Sequence, residues 1–258
     1  MNEQTAKAAA ASRRWLAAVA IGVAVLVFTR LRASIPAYVE LHVWLDGLAV
    51  PSNLRNLDAP LLILLAALAG ACLASPARPL SALGLRKSPG TGVRFGLLAA
   101  LPMVMQAAID STGVRLDWST VRGGLIAPVV EETFFRGLLV AIPVVVGGTR
   151  FWSTAITSAL LFGSMHVPWS ADIAWTDLPT FGITAIGGLW YAWLMRIYGF
   201  SLWPTLALHA AMNAAWLVFD TGGGAVGGLW PNVGRGMTIA LGTVMALRHQ
   251  RRKRAATA

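Results

Sequence analysis

The chain has 258 residues, of which 56% are hydrophobic and only 12% are charged. Soluble domains carry about 25% charged residues, so this composition argues against a soluble protein and favours a membrane protein. The net charge of +10 does not indicate nucleic-acid binding, because the basic residues lie between and beyond the apolar runs rather than in one patch. The single cysteine, Cys72, excludes an intrachain disulfide and a multi-cysteine metal site, and its Ala- and Leu-rich surroundings indicate a packing residue.

Apolar runs of roughly the length that a membrane helix needs, about 20 residues, recur along the chain. We predict an all-α, polytopic membrane helix bundle of about eight transmembrane helices, forming one integral membrane domain over 1–258. The first span is expected to remain uncleaved, and part of 40–57 is expected to lie along the interface as a short amphipathic helix. The predicted spans are 14–30, 59–75, 94–109, 123–147, 151–167, 179–197, 200–219 and 235–248.

The charges between these spans predict an orientation. With the N-terminus in the cytoplasm, most of the 21 Lys and Arg residues fall on the cytoplasmic side, and most acidic residues fall on the opposite side. The positive-inside rule therefore places both termini in the cytoplasm, and we expect a bacterial or archaeal inner or plasma membrane. The basic tail, 248–258, is explained equally well as an orientation signal and as a segment that binds anionic lipid.

The fourth predicted span contains three charged residues, Glu131, Glu132 and Arg136, in the stretch "VVEETFFRG". A charge in mid-membrane costs at least a few kcal/mol, so such residues usually face the bundle interior and have a function. Glu132 and Arg136 are spaced i,i+4 and can neutralise each other as a structural pair. Glu131 lies on another helical face without a local counter-ion, which suits a general base or acid. Pro128 removes a helix hydrogen bond one turn earlier and can open the backbone there.

Further polar residues lie in two later spans, His166 in "LLFGSMHV" and His209 with Asn213 in "LALHAAMNAAW". A carboxylate, two imidazoles and a carboxamide form a plausible hydrolytic set, with Glu131 and His166 activating water and the others binding an oxyanion. No serine or cysteine is evidently placed as a nucleophile, which favours direct attack by water. The alternative is a zinc site with Glu131, His166 and His209 as ligands, and spacing alone does not decide between the two.

Small residues repeat at i,i+4 along the sixth predicted span, at Thr184, Gly188 and Ala192. Such a stripe lets two helix backbones approach closely in a membrane. We therefore expect this face of the sixth span to pack tightly against a neighbouring helix.

Three short motifs carry a resemblance to a known family. "EETFFR" (131–136), "FGSMH" (162–166) and "HAAMN" (209–213) match E-E-x-x-x-R, F-x-x-x-H and H-x-x-x-N, in that order and each within an apolar span. The chain thereby resembles the CPBP family, which comprises the CAAX prenyl endopeptidases of the Ras-converting type, the Abi proteins and bacteriocin-processing relatives. The motif-bearing core covers about 123–219.

The resemblance implies an eight-helix intramembrane protease of the glutamic type, a class formerly described as metalloproteases. On that model Glu131 and His166 activate water, His209 and Asn213 form the oxyanion site, and Glu132 and Arg136 support the site. No cofactor is required, although zinc stays an alternative. The predicted topology puts the site in the outer membrane half, which suggests a protein substrate such as the C-terminal membrane anchor of an exported protein.

Two functions from other classes stay open at this point. Intramembrane Glu, His and Arg residues also occur in proton-coupled transporters, although the chain shows neither inverted repeats nor paired broken helices. A non-catalytic immunity or scaffold protein is the other alternative, against which the complete motif set argues by analogy.

Overall fold

A computed structural model describes residues 3–48, 51–111, 113–168, 175–221 and 226–257. These residues form an all-helical structure without strands, as predicted. Each of the eight predicted spans falls on a helix or on a run of joined helical segments. The major helices are α1 (Glu3–Leu31), α4 (Asp58–Ala74), α6 (Pro89–Asp110), α9 (Phe151–Ser164), α10 (Leu178–Ile197), α11 (Trp203–Val218) and α12 (Leu229–Thr257).

The fourth predicted span is not a uniform α-helix. The helical segment starts before the predicted span, with α7 (Trp118–Val121). It continues through a π-helical turn (Arg122–Ile126) and α8 (Ala127–Glu131), and ends in a π-helical run (Glu132–Val146). π-helical turns are rare and often mark functional sites. The three charged residues therefore lie at the junction between α8 and the second π-helical run.

Shorter helices connect the long ones. The segment 40–57 includes most of α2 (Pro36–Gly47) and all of α3 (Ser52–Arg55), and α5 (Pro79–Ala82) precedes α6. None of the α2 residues is buried, and Tyr38 and His42 of this helix contact Asp58 at the start of α4. Its position at the membrane interface stays a prediction. Cys72 is exposed on α4, so our interpretation of it as a packing residue was wrong. The residue lies on an outward face of an apolar helix whose buried residues are mainly alanines.

Two helices in the described part of the chain, Ser12–Ser34 and Pro89–Asp110, are long and apolar enough to cross a membrane, and Asp58–Ala74 is a shorter apolar helix. A count of about eight membrane crossings stays a prediction. The eighth predicted helix is longer than expected, because α12 continues without a break through the basic residues to Thr257. The tail is thus a helical extension as far as it is described.

The π-helical run is buried at its centre between two hydrophobic clusters. Phe134, Leu138 and Ile142 pack with residues of α1 and α4. Val140 and Ala141 pack with α9 and α10. The π-helical run that carries Glu132 and Arg136 is therefore enclosed by neighbouring helices. This is expected because exposing a charge to an apolar environment is energetically costly.

Helices α6 and α11 approach each other closely at Gly96. A Cβ atom at this position would lie 2.5 Å from the backbone nitrogen of Leu208 and 2.6 Å from the Cβ of Ala207. The lack of a side chain lets the two backbones come together, as small residues do at membrane helix crossings. This crossing fixes the height and rotation of α11 next to His209.

Replacing Gly96 with alanine is expected to push α6 and α11 apart and lower the free energy of unfolding by about 1–3 kcal/mol. The matched control is Gly90→Ala on the same helix, where a Cβ would meet no atom within 4 Å. Thermal unfolding in detergent compares the two variants. Equal melting temperatures would contradict the close crossing.

Candidate active site

Glu131, Glu132 and His209 form the centre of the candidate site. The Nδ1 atom of His209 lies 2.9 Å from Oε1 of Glu132. Its Nε2 atom lies 3.7 Å from Oε2 of Glu131. Since a carboxylate accepts hydrogen bonds, Nδ1 of His209 carries a hydrogen and donates a hydrogen bond to Glu132. The imidazole is thus held between two adjacent glutamates, with Nε2 directed toward Glu131.

The two glutamates differ sharply in their exposure. The side chain of Glu132 is fully buried, whereas that of Glu131 is 27% exposed. Glu132 is paired on both sides, with His209 and, at 3.2 Å, with Nη1 of Arg136. The predicted i,i+4 pair of Glu132 and Arg136 is confirmed. Glu131 lies outside that ion pair and remains partly exposed.

Arg136 lies in an aromatic enclosure. Its guanidinium carbon is 4.3 Å from the centroid of the Phe162 ring and 5.3 Å from that of the Tyr191 ring. A guanidinium over an aromatic face is attracted by the ring quadrupole, more strongly when water is excluded. The residue is 1% exposed, so Phe162 and Tyr191 compensate part of the cost of its burial. Arg136 in turn supplies the positive charge next to Glu132, whose Oε1 accepts the hydrogen bond of His209.

Gly188 of the small-residue stripe leaves room for this arrangement. A Cβ at Gly188 would lie 3.1 Å from Cδ1 of Phe162 and 3.3 Å from Nη2 of Arg136. Gly188 therefore lies on the face of α10 that packs tightly against α9 and the fourth span, as the sequence predicts.

Replacing Gly188 with valine is expected to displace Phe162 and Arg136 and lower the free energy of unfolding by about 1–3 kcal/mol. The neighbouring Gly187→Val is the matched control, because a Cβ at Gly187 meets no atom within 4 Å. Thermal unfolding of both variants is the measurement, and a loss of stability in both alike would refute the tight contact at Gly188.

His166 lies just beyond the end of α9, on its C-terminal turn. Its Nδ1 atom is 2.9 Å from the carbonyl oxygen of Phe162. A carbonyl can only accept, so neutral His166 carries its proton on Nδ1 and has an unprotonated Nε2. The His166 ring packs on the Phe162 ring at 4.6 Å, and the centroid of the same Phe162 ring lies 6.5 Å from that of His209. Phe162 thus links the two imidazoles.

Asn213 is held by a backbone carbonyl that the helix leaves without a donor. The N–H of Ala127 bonds to the carbonyl of Arg122, five residues earlier. Residue 128 is proline and has no N–H, so the two helical donors that would serve the Gly123 carbonyl are both missing. Nδ2 of Asn213 donates to that carbonyl at 3.1 Å. Pro128 thus opens the backbone as predicted, and the Gly123 carbonyl that it leaves without a helical donor anchors Asn213.

The structure brings some of the predicted residues into direct contact and others only near them. Glu131, Glu132, Arg136 and His209 are in direct contact, Asn213 lies one turn along α11 from His209, and His166 is connected through Phe162. Within the described ranges, no group of three or more His, Cys, Asp and Glu residues is arranged to hold a metal ion. The zinc ligand set of Glu131, His166 and His209 is thus not gathered as a coordination site, and we derive no step through a metal.

Two residues of this site were not predicted. Phe162 was recognised only as a letter of the F-x-x-x-H motif, although its ring touches Arg136 and His166. Tyr191 belongs to none of the three motifs. Its ring centroid lies 5.3 Å from that of His209. A polar aromatic residue within an apolar span is the one sequence feature that could have indicated it.

Residues 114–215 match the family model described as "Type II CAAX prenyl endopeptidase Rce1-like". No curated protein and no solved structure matches the chain. The matched region contains every predicted site residue, from Glu131 to Asn213. The family consists of membrane-embedded proteases that act on proteins. The predicted resemblance to the CPBP family is therefore confirmed for residues 114–215, which match its Rce1-like CAAX protease branch.

Proposed function

We propose that this protein is an intramembrane endopeptidase of the glutamic type, in which Glu131 removes a proton from the attacking water. The observation that carries this proposal is the difference in burial and pairing between two adjacent glutamates. Glu132 is fully buried and paired with Arg136 and His209, whereas Glu131 is partly exposed and stands outside that ion pair. A base needs an available carboxylate within reach of water, and Glu131 fits this requirement.

His166 is proposed to hold the same water. Its Nδ1 is committed to the carbonyl of Phe162, so the lone pair of Nε2 is free to accept a hydrogen bond from water. In this role His166 orients the water while Glu131 takes the proton. The oxygen of the resulting hydroxide forms a bond to the carbonyl carbon of the scissile peptide.

His209 and Asn213 are proposed to stabilise the oxyanion that this attack creates. Asn213 uses one N–H on the carbonyl of Gly123 and retains a second N–H for a ligand. His209 is proposed to donate from Nε2, the ring nitrogen that faces Glu131 rather than Glu132. Collapse of the oxyanion breaks the C–N bond, and the proton held by Glu131 passes to the leaving amine.

We propose that this reaction needs no metal. Among the described residues, the donors of the site occur as an ion-pair cluster rather than as a ligand set. Cleavage that persists after exhaustive chelation would support this, whereas cleavage lost on chelation and restored by zinc would refute it.

The substrate is proposed to be a membrane-associated protein cut near the extracytoplasmic face, such as the C-terminal anchor of an exported protein. This rests on the distribution of Lys and Arg, which predicts that both termini are cytoplasmic and that Glu131 lies in the outer half of an inner or plasma membrane. Cysteines introduced at Pro168 and Thr176 test the orientation with an impermeant maleimide in a Cys72→Ser background. Labelling of both sites from the cytoplasm alone would refute the proposal. Residues 169–174 of this loop lie outside the described residues.

Substrate trapping in cells tests the proposed activity. Membrane proteomes are compared between cells that carry the wild-type protein and cells that carry Glu131→Gln. We expect at least one membrane protein to accumulate uncut with Glu131→Gln and to be found shortened with the wild type. Identical processing in the two strains would refute the role of Glu131.

A further inference from the structure

Arg30, at the end of α1, contacts the turn that carries His166. Its Nη2 atom donates to the carbonyl of Val167 at 2.6 Å and lies 3.4 Å from the carbonyl of Ser164. These two carbonyls lie on either side of His166 in the sequence. Arg30 is therefore connected to the backbone two residues before and one residue after His166.

The chemistry of a helix end explains why an arginine is suited to this place. The last carbonyls of a helix have no N–H partner within it, and α9 ends at Ser164. A cation at this end is stabilised by the helix dipole, and Nη2 of Arg30 reaches both carbonyls. His166 itself occupies a third carbonyl, that of Phe162, through Nδ1. The turn is thus fixed both by its own imidazole and by a cation from another helix.

We infer that Arg30 is a positioning residue for His166, and this inference rests on the proposed role of His166 in holding the attacking water. Arg30 lies outside the matched region, 114–215, so none of the three motifs includes it. Without Arg30 the turn loses a connection to α1 and keeps the contacts of His166 with Phe162, so the direction of Nε2 is fixed less firmly. Small displacements of a positioned group can reduce a rate by up to about 100-fold.

The neighbouring Arg32 provides a matched control. It lies at the same end of α1, but its Nε atom is directed to Tyr38 at 3.0 Å and to Asp58 at 3.3 Å. Replacing Arg32 removes a cation of the same type and a comparable set of contacts without touching the turn. A general effect of lost charge or lost stability would therefore appear in both variants, whereas a positioning effect would appear only for Arg30.

The first measurement does not depend on proteolysis. Hydrogen exchange of the peptide covering 161–168 is followed in nanodiscs for wild type, Arg30→Ala, Arg30→Lys and Arg32→Ala. We expect exchange at His166 and its neighbours to be severalfold faster in Arg30→Ala, intermediate in Arg30→Lys and unchanged in Arg32→Ala. Unchanged exchange in Arg30→Ala would overturn the inference, even if the protein proves to be a protease as proposed.

The second measurement connects the turn to catalysis through a double-mutant cycle. With the substrate obtained by trapping, Arg30→Ala is expected to lower kcat by about 10- to 100-fold with little change in KM. In a His166→Ala background, Arg30→Ala is expected to lower the rate no further. An equal further loss in that background would show a general structural role and overturn the inference. If the wild type cleaves nothing, the proposed function fails, while the exchange experiment still decides whether Arg30 orders the turn.

Discussion

Replacing Glu131 with glutamine is expected to lower the rate of peptide-bond cleavage by about 10²- to 10⁴-fold while the protein stays folded. Glutamine keeps the shape of the side chain but cannot take a proton from water. The side chain is 27% exposed and lies 3.7 Å from His209, outside the buried ion pair, so its loss of charge leaves the core intact. The measurement is the cleavage rate of a trapped substrate, together with the melting temperature of each variant.

The control for this prediction is Glu40→Gln. Glu40 is an exposed carboxylate on α2, far in sequence from the three motifs. We expect Glu40→Gln to cleave at the wild-type rate. A Glu131→Gln variant that cleaves within a few-fold of the wild type would assign the base to another residue.

Replacing Glu132 with leucine is expected to lower the free energy of unfolding by about 3–5 kcal/mol, because it leaves a buried arginine without a counter-ion. Arg136 is 1% exposed and cannot reach water for compensation. His209 also loses the acceptor of its Nδ1 proton, which lies 2.9 Å away in the wild type. We therefore expect the loss of both stability and cleavage, measured by chemical unfolding and by substrate turnover.

A second substitution separates these two effects. Removing both charges, with Glu132→Leu and Arg136→Met together, is expected to restore much of the stability, since hydrophobic replacement of a buried ion pair is often neutral. Cleavage is not expected to return, because His209 still lacks its carboxylate partner. Recovery of cleavage in the double variant would show that Glu132 serves stability alone and would contradict its role in holding His209.

Much of the fold could be predicted from the sequence because apolar runs determine helix positions directly. All eight predicted spans lie on helices, and the i,i+4 spacing correctly paired Glu132 with Arg136. The π-helical turns could not be predicted, since they depend on how neighbouring helices pack around the fourth span. Cys72 was misjudged for a related reason, because a uniformly apolar helix does not show which of its faces is buried.

The sequence named candidate residues for the site, but of their contacts it predicted only the ion pair of Glu132 with Arg136. The sequence shows that Glu131, His166, His209 and Asn213 are unusual in an apolar chain, yet it holds no information on distances between separate helices. The structure adds that Glu132 orients His209 and that the Gly123 carbonyl anchors Asn213. Phe162 and Arg30 escaped notice because an aromatic residue and a terminal arginine are ordinary in a membrane helix.

The central claim is that water activated by Glu131 cuts a peptide bond of a membrane protein. Its most direct test is reconstitution of purified wild type, Glu131→Gln and Glu40→Gln in nanodiscs with the trapped substrate, followed by mass spectrometry of the products. We expect one new carboxyl terminus with wild type and with Glu40→Gln, formed equally in excess chelator, and none with Glu131→Gln. The same product from Glu131→Gln at a comparable rate would contradict it.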